Sequence, residues 1–310
     1  MNAENHETPW LDGIEGDALP LLICDNSPVI RVVAGPGSGK TTGLKRRVQR
    51  LVQGDEVSAN KIFIGTFTRA ITKELAEALG VSVKADEFGD EEKPECVQVS
   101  TLHSHALQLV RANPTSRPGR VLRFLLEYEK AAMLYDLGQV FATTDQNGRH
   151  KELRRVCAAW AEGADLATAS FVGEMLRWLL RHQGMLIDEV VNLARTGLEA
   201  GSIPAGMFDH VVIDEYQDLT AAEQNLVEKI WSRKGSLVVL GDHDQSIYAF
   251  RYNHPGGITE FQARWKNEQL VDLGIPENRR CGKLIVNLAN AMMAEAGSKK
   301  SPMLPKQVYD

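Results

Sequence analysis

No apolar run in this 310-residue chain approaches the roughly 18 residues that a membrane-spanning helix needs. Met1 to Trp10 is polar and acidic, without the apolar centre of a secretory signal. Cysteine is scarce: Cys24, Cys96, Cys157 and Cys281 stand far apart and form no Cys-x-x-Cys pair, which argues against a zinc site. These absences lead us to expect a cytoplasmic chain with reduced thiols and no membrane partner. A basic excess is also lacking. Lys and Arg number 35 against 41 Asp and Glu, a net charge of −6, which argues against a sequence-blind nucleic-acid coat but leaves room for a local basic groove. Two clusters are candidates, Lys45, Arg46, Arg47 and Arg50 on one helix and Arg111, Arg117, Arg120 and Arg123 further on. Each reads more readily as a solvated face. The length suggests roughly two domains.

What is present centres on Val32-Val33-Ala34-Gly35-Pro36-Gly37-Ser38-Gly39-Lys40-Thr41-Thr42. An apolar strand leads into a glycine-rich turn, and Leu44, Val48 and Leu51 continue it at helical spacing. Such a turn points successive backbone N–H groups inward and cradles phosphate oxygens at a positive helix end. Lys40 would reach the β and γ phosphates, and the Thr41 hydroxyl would sit on Mg²⁺. One position departs from the strict motif: Ala34 stands where its first glycine would be.

In chain order, residues 1–20 read as loose, punctuated by Pro9, Gly13, Gly16 and Pro20. Val29 to Val33 is a strand, Lys61 to Gly65 a second, and Ala70 to Leu79 a helix. Residues 84–95 form an acidic connector, and Val97 to Ser100 alternates as a third strand. From about 106 to 205 strand signals vanish and helical spacing takes over, as at Leu186, Val190, Leu193 and Ala194. Trp160, Phe171, Trp178 and Leu179 are expected to be core. Strands resume at His210 to Ile213 and Ser236 to Leu240, separated by a helix from Ala221 to Ser232. Strand, helix, strand at this spacing is a parallel crossover. The expected fold is α/β, a parallel P-loop NTPase sheet with an inserted all-helical subdomain. Ligands of open parallel sheets lie beyond the carboxyl ends of the strands, so Lys40, Asp214 and Gln245 should converge at one edge.

Asp214 and Glu215 end a buried strand at that edge. One carboxylate can hold Mg²⁺, and the other can orient or deprotonate an attacking water. Alternatively, one of them caps the following helix. Gln245 could touch a γ-phosphate, and taken alone it is an ordinary loop glutamine.

Five stretches then occur in a telling order: the phosphate loop, Thr66-Phe67-Thr68-Arg69-Ala70, Thr101-Leu102-His103-Ser104, Asp214-Glu215-Tyr216-Gln217-Asp218, and Gly241-Asp242-His243-Asp244-Gln245-Ser246-Ile247-Tyr248-Ala249-Phe250-Arg251. The series resembles the UvrD/Rep family of superfamily 1 DNA helicases, over about residues 14–295. Glu277-Asn278-Arg279-Arg280-Cys281 resembles the Asn-Tyr-Arg-Ser element that opens that family's second RecA-like lobe. The resemblance implies a RecA-like ATP-binding lobe from 1–105 and 206–275, a helical insertion at 106–205, and the start of a second lobe at 276–310. It implies ATP and Mg²⁺ as cofactors, with Ala34 to Thr42 and Arg279 around the nucleotide and Thr41 and Asp214 on the metal. Lys40, Asp214, Glu215, Gln245 and Arg280 would serve hydrolysis, Arg280 as the arginine that meets the γ-phosphate. Thr66, Phe67, Arg69, His103, Ser104, Tyr248, Phe250 and Arg251 match positions that touch single-stranded DNA, where aromatic stacking gives a sequence-blind grip.

Three departures accompany the resemblance. The family's adenine-reading glutamine has no counterpart, since Asp17-Ala18-Leu19-Pro20 occupies that place. Arg279 replaces the base-stacking tyrosine, although a guanidinium also stacks. Together these leave the choice among nucleoside triphosphates open. The family's later motifs, including its arginine finger, are not found before Asp310. The expected function is the ATPase portion of a helicase or translocase that binds single-stranded DNA. The alternative is a nucleotide switch that does not unwind, docks on DNA or a protein, and needs a partner to complete its site. A small-molecule kinase would not need the paired carboxylates followed by Gly-Asp-x-x-Gln, and no Leu-Ser-Gly-Gly stretch supports an ABC-type ATPase.

Overall fold

A computed structural model of the chain describes residues 9–66, 96–117, 119–141, 146–164, 166, 170–246, 252–298 and 300–307. The expected helix at Ala70 to Leu79 and the connector at 84–95 lie outside these residues.

Six short strands form one parallel sheet: β1 (Val29–Ala34), β2 (Ile62–Thr66), β3 (Gln98–Thr101), β4 (His210–Ile213), β5 (Leu237–Gly241) and β6 (Leu270–Ile275). Their spatial order is β3-β2-β4-β5-β1-β6, and every pairing is parallel. The central strands are apolar on both faces because both faces are covered, as parallel sheets require. Successive residues alternate between two cores. Val29, Phe63, Val211, Ile213, Leu237 and Val239 enter one; Ile30, Val32, Ile62, Ile64, Val212, Val238 and Leu240 enter the other.

The second core is covered by α1 (Ala18–Cys24) and α2 (Lys40–Gln49). α1 occupies ground that the sequence reads as loose. Pro20 falls in its first turn, where a missing N–H costs nothing, and Leu19, Leu22 and Ile23 are buried. The first core is covered by α3 (Leu102–Ala112), α7 (Val190–Glu199) and α8 (Ala221–Ile230). A third core, from Leu125 to Leu186, is built by α4 (Glu127–Val140), α5 (Gln146–Ala161) and α6 (Ser170–Arg181). Trp160, Phe171 and Leu179 are buried there. Trp178 is only partly covered; it bonds Asp136 and stacks on His182. Among the described residues between 106 and 205, β structure is limited to one bridge, Phe124 to Met185.

After β6, two short helices having already passed as α9 (Gly256–Thr259) and α10 (Phe261–Arg264), the chain leaves the sheet. β7 (Glu277–Gly282), α11 (Lys283–Glu295) and β8 (Leu304–Gln307) form a separate parallel pair joined by a helix.

Two members of the first basic cluster, Arg47 and Arg50, are buried rather than on a solvated face. Arg47 is fully buried; its guanidinium donates to the Leu22 and Asp25 carbonyls and to Ser236 Oγ, tying α2 to α1 and to the start of β5. Burial, helped by the neighbouring Arg50 charge, brings its pKa down to about 10. Arg50 reaches the Ile23 carbonyl, Asn26 and Asp55. In the second cluster, Arg120 forms a buried pair with Glu189. Arg47→Met keeps the aliphatic stem but strands three acceptors, so it should lower stability by about 3 kcal/mol in urea unfolding, given about 1–3 kcal/mol for each buried group left unpaired. An unchanged unfolding midpoint would show that these bonds carry no stability.

Candidate functional site

β1 ends at Ala34, and the phosphate loop turns into α2 with Gly39 as its N-cap. Gly37 and Gly39 have φ of +68° and +92°, the left-handed region that glycine enters freely. Gly37 has a second constraint: a Cβ there would lie 2.5 Å from the Arg280 Cβ. Ser38 is buried, and its hydroxyl donates to the Gly35 carbonyl at 2.8 Å, bracing the loop from within. Lys40 is the first helical residue, and Thr41 and Thr42 are exposed in the first turn.

Across the sheet edge, β4 delivers Asp214 and Glu215. Lys40 Nζ lies 3.2 Å from Glu215 Oε1. Glu215 has φ of +53°, a strained conformation for a residue with a Cβ, and its backbone N–H donates to Asp214 Oδ1 at 3.0 Å. Gln217 extends the arrangement. Its side-chain amide donates to Glu215 Oε2 at 2.8 Å, and its carbonyl accepts from the Asp242 N–H at 3.0 Å. The ends of β4 and β5 are thereby joined through one side chain. Gly241 permits this approach, since a Cβ there would lie 2.5 Å from Gln217 Oε1. Gln245 donates to Asp242 Oδ2 at 2.7 Å. Lys40, Glu215 and, through Gln217 and Asp242, Gln245 therefore form one connected edge.

Asp214 is buried. Its pKa rises to about 6, chiefly through burial and then through the Glu215 charge, with Lys40 opposing. Two adjacent carboxylates thus face one lysine. This anionic excess, with the Thr41 hydroxyl nearby in sequence to Lys40, is a hard-oxygen donor set of the kind that suits Mg²⁺.

The element after β6 lies directly on the phosphate loop. Asn278, 1% exposed, donates to the Pro36 carbonyl at 2.9 Å. The Arg279 N–H donates to the Gly37 carbonyl at 2.7 Å, and its guanidinium donates to the carbonyls of Ser38 (2.9 Å) and Glu15 (2.8 Å). The guanidinium expected at the base is engaged with the loop backbone. Arg280 is exposed beside Gly37. Sequence reasoning assigned no role to Asn278, Gln217 or Asp242, although each sits within a quoted stretch; their burial and polarity are visible only in the fold.

Of the residues expected at DNA, Thr66 is buried at the end of β2 and pairs in register with Thr101. Thr101 caps α3 by accepting from the Ser104 N–H at 3.2 Å. His103 Nδ1 is 2.9 Å from Glu223, which also closes a capping box with Thr220 at the start of α8. Burial opposes the Glu223 charge, yet the bonds from His103 and Thr220 hold its carboxyl below its usual range. Phe67, Arg69, Tyr248, Phe250 and Arg251 lie outside the described residues.

The chain belongs to the AAA domain family, whose model matches residues 23–251. It is similar to the ATP-dependent DNA helicase UvrD1 of Mycobacterium leprae, 28% identical over 95% of this chain and 41% of that protein. It is similar to UvrD1 of Mycobacterium tuberculosis, also 28% identical with the same coverage, and to the ATP-dependent DNA helicase PcrA of Staphylococcus aureus, 27% identical over 87% of this chain and 38% of that protein. The chain spans about two fifths of the length of these relatives. Together with the family match they bear out the UvrD/Rep-like superfamily 1 resemblance, and the six-stranded parallel sheet with the family match bears out the RecA-like P-loop fold. Among the described residues no helix is long and apolar enough to cross a membrane.

An acid whose folded-state pKa lies above its unfolded value takes up a proton on folding, so stability falls as pH rises from about 4 to about 6 and stays lower above that. Asp214→Asn should therefore be more stable than the parent at pH 7.5, by roughly 1–3 kcal/mol, and no more stable below pH 4, as thermal unfolding across pH will read. Equal stability of the two proteins at pH 7.5 would mean that Asp214 is ionised in the fold without penalty.

Proposed function

We propose that this chain is the nucleotide-hydrolysing portion of a UvrD-like, ATP-dependent DNA helicase or translocase. The observation that carries the reading is the Lys40–Glu215 pair, linked through Gln217 to the end of β5 at the carboxyl edge of a parallel sheet. Residues 1–105 and 206–275 make up the nucleotide lobe, 106–205 the helical insertion, and 276–310 the opening of a second lobe. The similarity to proteins named ATP-dependent DNA helicase supports ATP as the nucleotide and DNA as the partner. The reading puts the chain in the cytoplasm.

In this mechanism the loop N–H groups from Gly35 to Thr42 bind the phosphates, and Lys40 neutralises charge on the β and γ positions. Thr41 and Asp214 would hold Mg²⁺, which supplies further neutralisation of the phosphates. Glu215 moves from Lys40 to the attacking water, orienting it and taking its proton. Gln245 and Arg280 report on the terminal phosphate. Single-stranded DNA runs past Thr66, Phe67, Arg69, His103, Ser104, Tyr248, Phe250 and Arg251, where aromatic faces stack on bases.

Steady-state ATP hydrolysis with and without single-stranded DNA tests the reading. Turnover that requires Mg²⁺ and rises with DNA is expected. Lys40→Ala should reduce it by about a hundredfold or more, the scale of losing one preorganised charge at a transferring phosphoryl group. Glu215→Gln should bind nucleotide as the parent does and hydrolyse it slowly. Nucleotide binding without turnover in the parent would replace hydrolysis by the switch reading, and unchanged turnover in Lys40→Ala would remove the phosphate-loop assignment.

A further inference from the structure

The segment after α11 brings an additional cation to the phosphate loop. Lys300 Nζ donates to Asp242 Oδ2 at 2.5 Å, the same oxygen that accepts from Gln245. Its ammonium also stands over the loop, since a Cβ on Gly35 would lie 3.4 Å from it. The ion pair is largely shielded from water, with side-chain exposures of 16% for Lys300 and 2% for Asp242. It borders a cavity of about 210 Å³ enclosed by Pro36, Asp242, Gln245, Met293, Lys300 and Met303.

The lysine is held there by its surroundings. Asn290 and Met303 exchange two hydrogen bonds of 2.9 Å, fixing the turn between α11 and β8. Ser298 donates to Asp244 at 2.7 Å and accepts from the Lys300 N–H at 3.2 Å. The backbone around Lys300 is thus anchored on both sides, while its ammonium has a flexible four-carbon reach and three donors. A compact ammonium beside a phosphate loop, paired to a carboxylate that is also bonded to Gln245, is well placed to exchange that carboxylate for a phosphate oxyanion.

We propose that Lys300 is a second phosphate-binding lysine of this site, selective for the terminal phosphate of a nucleoside triphosphate. It leaves Asp242 for that phosphate, and Gln245 then shares Asp242 with no cation. The proposal rests on the reading of the loop as a nucleotide site. It gives the residues after β7 a direct part in telling triphosphate from diphosphate.

Calorimetric titration with the magnesium complexes of AMPPNP and ADP tests it on the full chain. Lys300→Ala should weaken AMPPNP roughly tenfold, the scale of one charge-assisted hydrogen bond, and leave ADP nearly unchanged. Lys300→Arg should restore most of the loss, which also controls for folding, together with the melting temperature of each variant. Asp242→Asn removes the competing carboxylate and should tighten AMPPNP in the parent but not in the Lys300→Ala background. AMPPNP binding unchanged in Lys300→Ala, or AMPPNP and ADP weakened equally, would overturn the proposal and leave the nucleotide site intact. A parent that binds neither nucleotide would instead overturn the site reading itself.

Discussion

Lys40 holds a concentration of negative charge together. Asp214 and Glu215 are consecutive, one is buried, and both leave the same strand at the edge where the phosphate loop begins. Two carboxylates so placed repel each other and resist desolvation, which is why the Asp214 pKa climbs. The fold tolerates them because Lys40 sits 3.2 Å from Glu215, Gln217 donates to the other Glu215 oxygen, and the Glu215 N–H serves Asp214. The left-handed backbone at Glu215 aims these groups inward at a cost of about 1–2 kcal/mol for a residue with a Cβ. Strain and charge repulsion accumulate at one strand end, and the rest of the sheet must be stable enough to bear them.

That stability comes from both faces of the sheet and from one buried arginine. Alternation divides each central strand between two apolar cores, so β1 and β4 contribute to both at once. Arg47 adds direction to this packing. Its guanidinium fork reaches two carbonyls around the end of α1 and the hydroxyl that precedes β5, so α2 is fixed in rotation as well as in position. α2 begins with Lys40, and its orientation sets where that lysine points. The buried arginine thus acts on the site from the opposite end of the same helix.

Elements with a strong local pattern were legible in the sequence. The phosphate loop, the apolar strands leading to Val33, Gly65, Ile213 and Leu240, and the expectation that Lys40, Asp214 and Gln245 meet at one edge all follow from short motifs and parallel topology. What could not be read depends on long-range contact. Arg47 and Arg50 look like a solvated basic face because their acceptors are backbone carbonyls and polar groups that carry no signature at residues 22 to 26 and 236. α1 was missed because Pro20 and nearby glycines imitate a loop, whereas a helix accepts proline in its first turn. Asn278 and Lys300 look like ordinary polar residues until β7 and the turn after α11 are laid across the loop.

The manner of that crossing carries the last consequence. β7, the strap across the loop, takes hold of it through carbonyls, those of Pro36, Gly37 and Ser38, with Asn278 and Arg279 as donors. Peptide carbonyls and N–H groups point in opposite directions, so bonding the carbonyls from outside leaves the inward N–H groups for an anion. The strap and a phosphate therefore grip opposite sides of the same peptide units. A phosphate that tightens the loop must strain or improve these bonds, and a strap that moves must reshape the cradle. Each such bond is worth about 1 kcal/mol net, so the three together are a substantial part of what holds β7 on the loop. On the reading of the loop as a nucleotide site, coupling between nucleotide and the residues after β6 would run through the loop backbone itself, without need of a relay through the sheet.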